Sequence, residues 1–157
     1  MSETQHDKEL SALRITPVVT SFLLRLDDPE PRLCLVRRSQ RVGSYHALWA
    51  GISGFLEQGV TPEEQAYTEI REETGLPKQL VRLLKRWGIV EHVDEALRRR
   101  WLIHPFLVEV LAPDAITLDW EAEELQWITP SELPNYATVP KLYEAFLAAE
   151  QGKALSK

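Results

Sequence analysis

The feature that most constrains this chain is one helix with well-marked ends, set among segments that favour strands. Thr61 is a good N-cap, Pro62 suits the first helical position, and Glu64 stands three residues on, as in a capping box. Gly75 suits a left-handed C-cap, and Pro77 prevents the helix from resuming. Ahead of it, Ile15–Leu26 and Arg32–Arg38 read as strands, and the prolines and aspartates of residues 27–31 turn them into a hairpin. Leu48–Phe55 reads as a short strand interrupted by Gly51 and Gly54. Beyond the helix, Leu80–Val93 and Arg100–Leu111 are strand-like and joined by a charged loop, Asp94–Arg99. Glu124–Ile128 reads as a short strand, and Thr138–Gln151 as an amphipathic helix with Leu142, Phe146 and Leu147 on one face. Two separated helices among mostly antiparallel strands predict an α/β fold, a mixed sheet sandwiched by helices.

A length of 157 residues favours one domain. The pattern places it over residues 14–152, after a flexible segment at 1–13. The net charge of −6 argues against nucleic acid or an anionic membrane as partners. A chain of that sign needs local cations or a metal ion to handle phosphate. Cys34 is the only cysteine and lies in the apolar run Leu33–Val36, so a core position in a reducing cytoplasm is expected. Met1–Leu10 is polar and acidic, unlike a signal peptide, and no apolar run is long enough to span a bilayer.

The chemistry is written into Glu69-Ile70-Arg71-Glu72-Glu73-Thr74-Gly75. At about 100° of rotation per residue, Glu69, Glu72 and Glu73 fall within an arc of roughly 100°. Like charges at this spacing each cost roughly 0.2–0.5 kcal/mol, and the negative end of the helix dipole adds to the penalty. A bound divalent cation reverses the sign of all these terms, and hard cations prefer carboxylate oxygens. Taken alone, the three glutamates better suit a solvated acidic face, because charged helix faces are common.

The longer segment from Gly54 to Leu76 resembles the Nudix box: a glycine, five residues, a glutamate, seven residues, Arg-Glu, a bulky aliphatic, any residue, Glu-Glu, any residue, glycine and a bulky aliphatic. Gly54, Glu69, Ile70, Glu72, Glu73, Gly75 and Leu76 fit without a gap. Val60 stands where the box has its first glutamate, and Thr68 where it has the arginine that helps to orient the next acid. Thr68 offers only one weaker hydrogen bond, so Glu69 is expected to be less tightly positioned. Glu57 is a candidate substitute for the missing acid.

The resemblance implies a Nudix-like α/β/α sandwich over residues 14–150. It implies a hydrolase that splits a pyrophosphate bond in a nucleoside diphosphate linked to another group, or in a related small diphosphate. Glu69, Glu72 and Glu73 would be catalytic and would hold Mg²⁺ or Mn²⁺, with the Ser53 carbonyl as a further ligand. Glu69 is the first candidate for general base, and an acid from outside the helix is the alternative. Related proteins also place an acidic ligand shortly before a Trp-containing strand, which makes Glu121 and Glu124 candidates ahead of Trp127. A homodimer is possible by the same analogy. The departures at Val60 and Thr68 keep open a second reading, a catalytically weak module that binds a nucleotide or metabolite as a sensor.

Arg37, Arg38 and Arg41 stand near the expected cleft and suit phosphate by charge-assisted hydrogen bonds. Gly54 and Trp49 join Arg37 and Arg38 as candidate substrate contacts. Trp101, Tyr45 and Trp87 are further aromatics able to stack on a base, although large aromatics more often serve the core. His46, His92 and His104 have no metal-ligand spacing, and Arg98–Arg100 suit a solvated loop.

Overall fold

The structure, a computed structural model, describes Gln5 and residues 12–155. Apart from Gln5, Ala12 and Leu13, the expected flexible segment lies outside the described residues. The strands are β1 (Arg14–Arg25), β2 (Arg32–Arg38), β3 (Trp49–Ala50), β4 (Ile52–Phe55), β5 (Val81–Arg86), β6 (Val90–Asp94), β7 (Arg99–Val110), β8 (Ala122–Ile128) and β9 (Lys153–Ala154). The α-helices of the domain are α1 (Pro62–Thr74) and α2 (Leu142–Glu150).

Among the described residues, nine strands form one mixed sheet with the spine β3-β2-β1-β7-β5-β9. Its centre is the parallel pair β1 and β7, in unbroken register from Arg14–Arg99 to Leu24–Glu109. Every other pairing between these strands is antiparallel, and Trp49 adds one isolated parallel bridge to Thr138. The two long strands each share their outer edge between two short ones. β1 pairs with β4 through Val18–Ser21 and with β2 at Leu24 and Arg25. β7 pairs with β6 through Arg99–Ile103 and with β5 from Phe106 onward. The sheet therefore splays, and one end is built from β4, β1, β7 and β6.

Alternation along β1 splits the core in two. Val19 and Leu23 face a cluster that includes Ala66 and Ile70 of α1. Phe22 and Leu24 face the opposite cluster, with Leu142, Ala145, Phe146 and Ala149 of α2. The sandwich is thus set by which apolar stripe each helix offers. Among the described residues, no helix is long and apolar enough to cross a membrane.

Several element boundaries differ from expectation for local reasons. The single strand expected over Leu48–Phe55 is two, because β3 pairs with β2 while β4 pairs with β1. The run Leu80–Val93 divides at residues 87–89, where pairing passes from one half of β7 to the other, across Pro105. The last helix starts at Leu142 rather than Thr138, since residues 137–139 are tied to Trp49 by two backbone hydrogen bonds of 2.9 and 3.0 Å. Cys34 is buried, and desolvation pushes its thiol up to about 12, which suits a packing role.

Candidate metal centre and cleft

Helix α1 is positioned by the punctuation read from the sequence. The Thr61 hydroxyl accepts from the Glu64 N–H at 3.2 Å, and Gly75 closes the helix at φ 76°. Residues four apart return to nearly the same face, so Gln65, Glu69 and Glu73 form one stripe. That stripe faces the protein: Gln65 is 1% exposed and Glu73 is 6% exposed. Glu72, rotated off it, is exposed.

Glu69, Glu73 and Glu121 each bring a carboxylate oxygen to within 4.8 Å of the others. Glu121 arrives from the turn before β8, held by its N–H donating to Asp119 Oδ1 at 3.0 Å. Glu69 can approach because Gly54 has no side chain, since a Cβ there would collide with the Glu69 carboxyl group. Its Oε1 accepts from Gln65 Nε2 at 2.8 Å. Gln65 thus supplies an orienting donor where Thr68 was expected to leave Glu69 loosely held.

Burial raises the proton affinity of all three acids. Desolvation, reinforced by Glu72 and Glu121, pushes Glu69 up to about 7. Glu73 is raised well above the ordinary range by desolvation first, then by Glu121 and Glu69. Glu121 is raised by desolvation and Asp119. Glu73 Oε2 is buried and has no hydrogen-bond partner. A buried carboxylate oxygen without a donor is costly. An all-carboxylate donor set with one free oxygen fits a hard divalent cation.

Beside these acids lies an open cavity of about 150 Å³. Its floor follows the sheet register, with Phe55 and Ile103 flanking Val18. Tyr45, Trp101 and Phe55 give it aromatic walls. The Phe55 and Trp101 rings stack at 6.4 Å and 19°, with the Arg99 guanidinium over both. Tyr45 is fixed by donating to Asp94 Oδ2 at 2.7 Å. Ser53 and Gly54 also line the cavity, as do His92 and Glu121.

Arg38 and Arg37 part company. Arg38 lines the cavity, donates from Nε to Ser44 O at 3.0 Å, and feels the charges of Glu73 and Glu121. Arg37 does not line it; its guanidinium lies 3.4 Å from both Glu123 and Glu124 and over the Trp49 ring. Successive side chains on a strand face opposite ways, and the ladder slips between these two residues. Trp49 follows Arg37, resting edge-on against Tyr136. Glu124 is engaged by Arg37, which leaves Glu121 as the acid of that segment beside the helix. Glu57 is exposed and outside the acidic group, and Arg41 lies over Trp120. His92, Val139 and Pro140 went unread as cavity residues because only tertiary packing brings them there. Gln65 carried a readable signal, its spacing of four before Glu69.

The model of the NUDIX domain matches residues 16–149. The chain belongs to the NUDIX domain family, the Nudix hydrolases. It is 31% identical over 115 residues to a putative mutator protein, MutT4, of Mycobacterium tuberculosis, covering 70% of this chain and 44% of that one. It is 25% identical over 124 residues to the NAD-capped RNA hydrolase NudC of Deinococcus radiodurans, covering 78% of this chain and 40% of that one. The chain thus spans less than half the length of these curated relatives. Among solved structures, a C. elegans Ap4A hydrolase in binary complex superposes with a TM-score of 0.72 at 13% identity, covering 87% of this chain and 96% of that one. That likeness shows the shared fold.

Proposed function

We propose that this Nudix domain hydrolyses a pyrophosphate bond in a nucleoside diphosphate linked to another group, using Mg²⁺ or Mn²⁺ held by Glu69, Glu73 and Glu121. The observation that carries this reading is the grouping of Glu69, Glu73 and Glu121, each with a carboxylate oxygen within 4.8 Å of the others, in which Glu73 also has a buried, unpartnered Oε2. Ser53, which lines the cavity, would offer its carbonyl as a further ligand, whereas Glu72 is exposed and outside the group of three acids, so it is not assigned as a ligand.

When bound, a divalent ion neutralises phosphate oxygens and acidifies the attacking water. The chain's own residues supply the rest. Arg38, the one lysine or arginine among the described lining residues, donates to a phosphate oxygen. Glu69, beside the cavity and held by Gln65, takes the proton from water as its oxygen attacks phosphorus. The bridging P–O bond breaks, and the second phosphate leaves with its electron pair. Trp101, Tyr45 and Phe55 receive a planar base, and Gly54 keeps the wall open for the diphosphate. A net charge of −6 fits a small substrate better than a polyanion. The names of relatives that act on Ap4A and on NAD-capped RNA agree with a linked-nucleotide substrate.

The test is a panel of nucleoside triphosphates, dinucleoside polyphosphates, nucleotide sugars and non-nucleotide diphosphates with each ion in ¹⁸O-labelled water. Mass spectrometry should show label in one phosphate product of a nucleoside-containing compound. No turnover with either ion, alongside tight binding of one nucleotide, would establish the sensor reading instead.

A further inference from the structure

We propose that Gln65 is a positioning residue: it tethers Glu69 to the backbone of the β4–α1 loop and so fixes the acid for metal binding and proton transfer. The inference rests on the reading of Glu69 just given. The Gln65 side chain, 1% exposed, makes two hydrogen bonds. Its Oε1 accepts from the Glu57 backbone N–H at 3.1 Å, and its Nε2 donates to Glu69 Oε1 at 2.8 Å. The first bond decides the second. A backbone N–H only donates, so the amide oxygen must face Glu57. The NH₂ group is thereby committed to Glu69, where it favours the ionised, ligating form of the carboxylate.

The tether acts where Glu69 has least freedom. Gly54 takes one side of its carboxyl group, and Gln65 holds one oxygen. Among the described residues, the neighbouring Thr68 makes no side-chain hydrogen bond that could substitute. Gln65 is itself packed in place, buried on a turn whose Ala66 and Ile70 lie in the core. The result is a path from the loop backbone through an amide to the Glu69 carboxylate. Glutamine is the side chain this path requires, having one acceptor and one donor at the same distance along an unbranched stem.

The test uses Gln65→Met, which keeps length and volume and removes both hydrogen bonds. Mn²⁺ affinity is read by electron paramagnetic resonance on the substrate-free protein, with kcat and KM read separately at saturating Mn²⁺. Loss of an orienting partner typically weakens metal affinity or activity about 10–100-fold. Weaker Mn²⁺ binding in that range is expected, with a fall in kcat and little change in KM. In a Glu69→Gln background, Gln65→Met should add almost nothing, because its effect passes through Glu69. A variant with a lower melting temperature but unchanged Mn²⁺ affinity and kcat overturns the proposal, as does full additivity with Glu69→Gln. If wild type binds Mn²⁺ and turns over while Gln65→Met equals it, only this assignment falls. If wild type does neither, the functional reading falls and takes this one with it. Should Gln65→Met fail to fold, hydrogen exchange of the Gln65 side-chain amide in wild type decides. Slow exchange that responds to Mg²⁺ supports the tether, and exchange as fast as in an exposed glutamine refutes it.

Discussion

Helices α1 and α2 cover opposite faces of one sheet, yet they bury different chemistry. α2 presents Leu142, Ala145, Phe146 and Ala149 to its cluster, an apolar stripe throughout. α1 presents Ala66 and Ile70, but beside them it buries Gln65, Glu73 and Thr74. The first helix to be expected of a stable fold is α2. α1 carries a desolvation penalty that raises the proton affinity of Glu69 and Glu73. The contrast separates an all-apolar side of the domain from the side to which the proposed chemistry is assigned.

The sharpest way to break the comparison is to cut the α2 side. Phe146 is 2% exposed and packs edge-on against Phe22 at 5.3 Å. Phe146→Ala should cost about 3–5 kcal/mol in chemical denaturation. Mn²⁺ affinity of the folded fraction should not move. A loss of Mn²⁺ binding without loss of stability would reverse the roles assigned to the two helices.

Glu73→Gln tests the other side. It should reduce turnover at least about a hundredfold, equivalent to about 2.7 kcal/mol of transition-state stabilisation. It should also raise the melting temperature of the metal-free protein at neutral pH, because folding then no longer has to protonate or desolvate an ionised carboxylate. Equal turnover in the variant would remove Glu73 from the site. A lower melting temperature would mean that its carboxylate is a structural partner.

The smallest expected effect sharpens the comparison through pH. Glu69 goes from an ordinary value of 4.5 to about 7 on folding, and Glu73 and Glu121 are also raised. Below 4.5 each acid is protonated in both states and costs nothing. Between 4.5 and 7 the unfolded chain releases the proton while the folded chain keeps it, so stability falls as pH rises. The metal-free melting temperature of wild type should therefore fall relative to Glu69→Gln across this window. Mg²⁺ should flatten the difference. A difference that grew toward acid pH would contradict the burial of these acids.

Much of this contrast was legible because it is local. The ends of α1 follow from Thr61, Pro62 and Gly75, and its acids from their spacing. The sandwich follows from two separated helices among strand-forming runs. The cleft was less legible because it is assembled across the chain. Adjacent arginines Arg37 and Arg38 look alike in sequence, yet in the fold Arg38 lines the cavity while Arg37 pairs with Glu123 and Glu124. Trp101 enters the cavity wall while Trp49 sits with Tyr136, a distinction that periodicity cannot make. β9 is two residues long and too short to leave a pattern.

The parallel register of β1 with β7 has a consequence for how the domain comes into being. Arg14 must find Arg99, and Leu24 must find Glu109, before the middle of the sheet exists. Loop closure over such a span slows folding relative to hairpins. During synthesis, β1 must therefore wait, with one edge open, until the ribosome has released the chain through Val110. Truncations short of that residue should be captured by chaperones or aggregate, however good their local helices and turns.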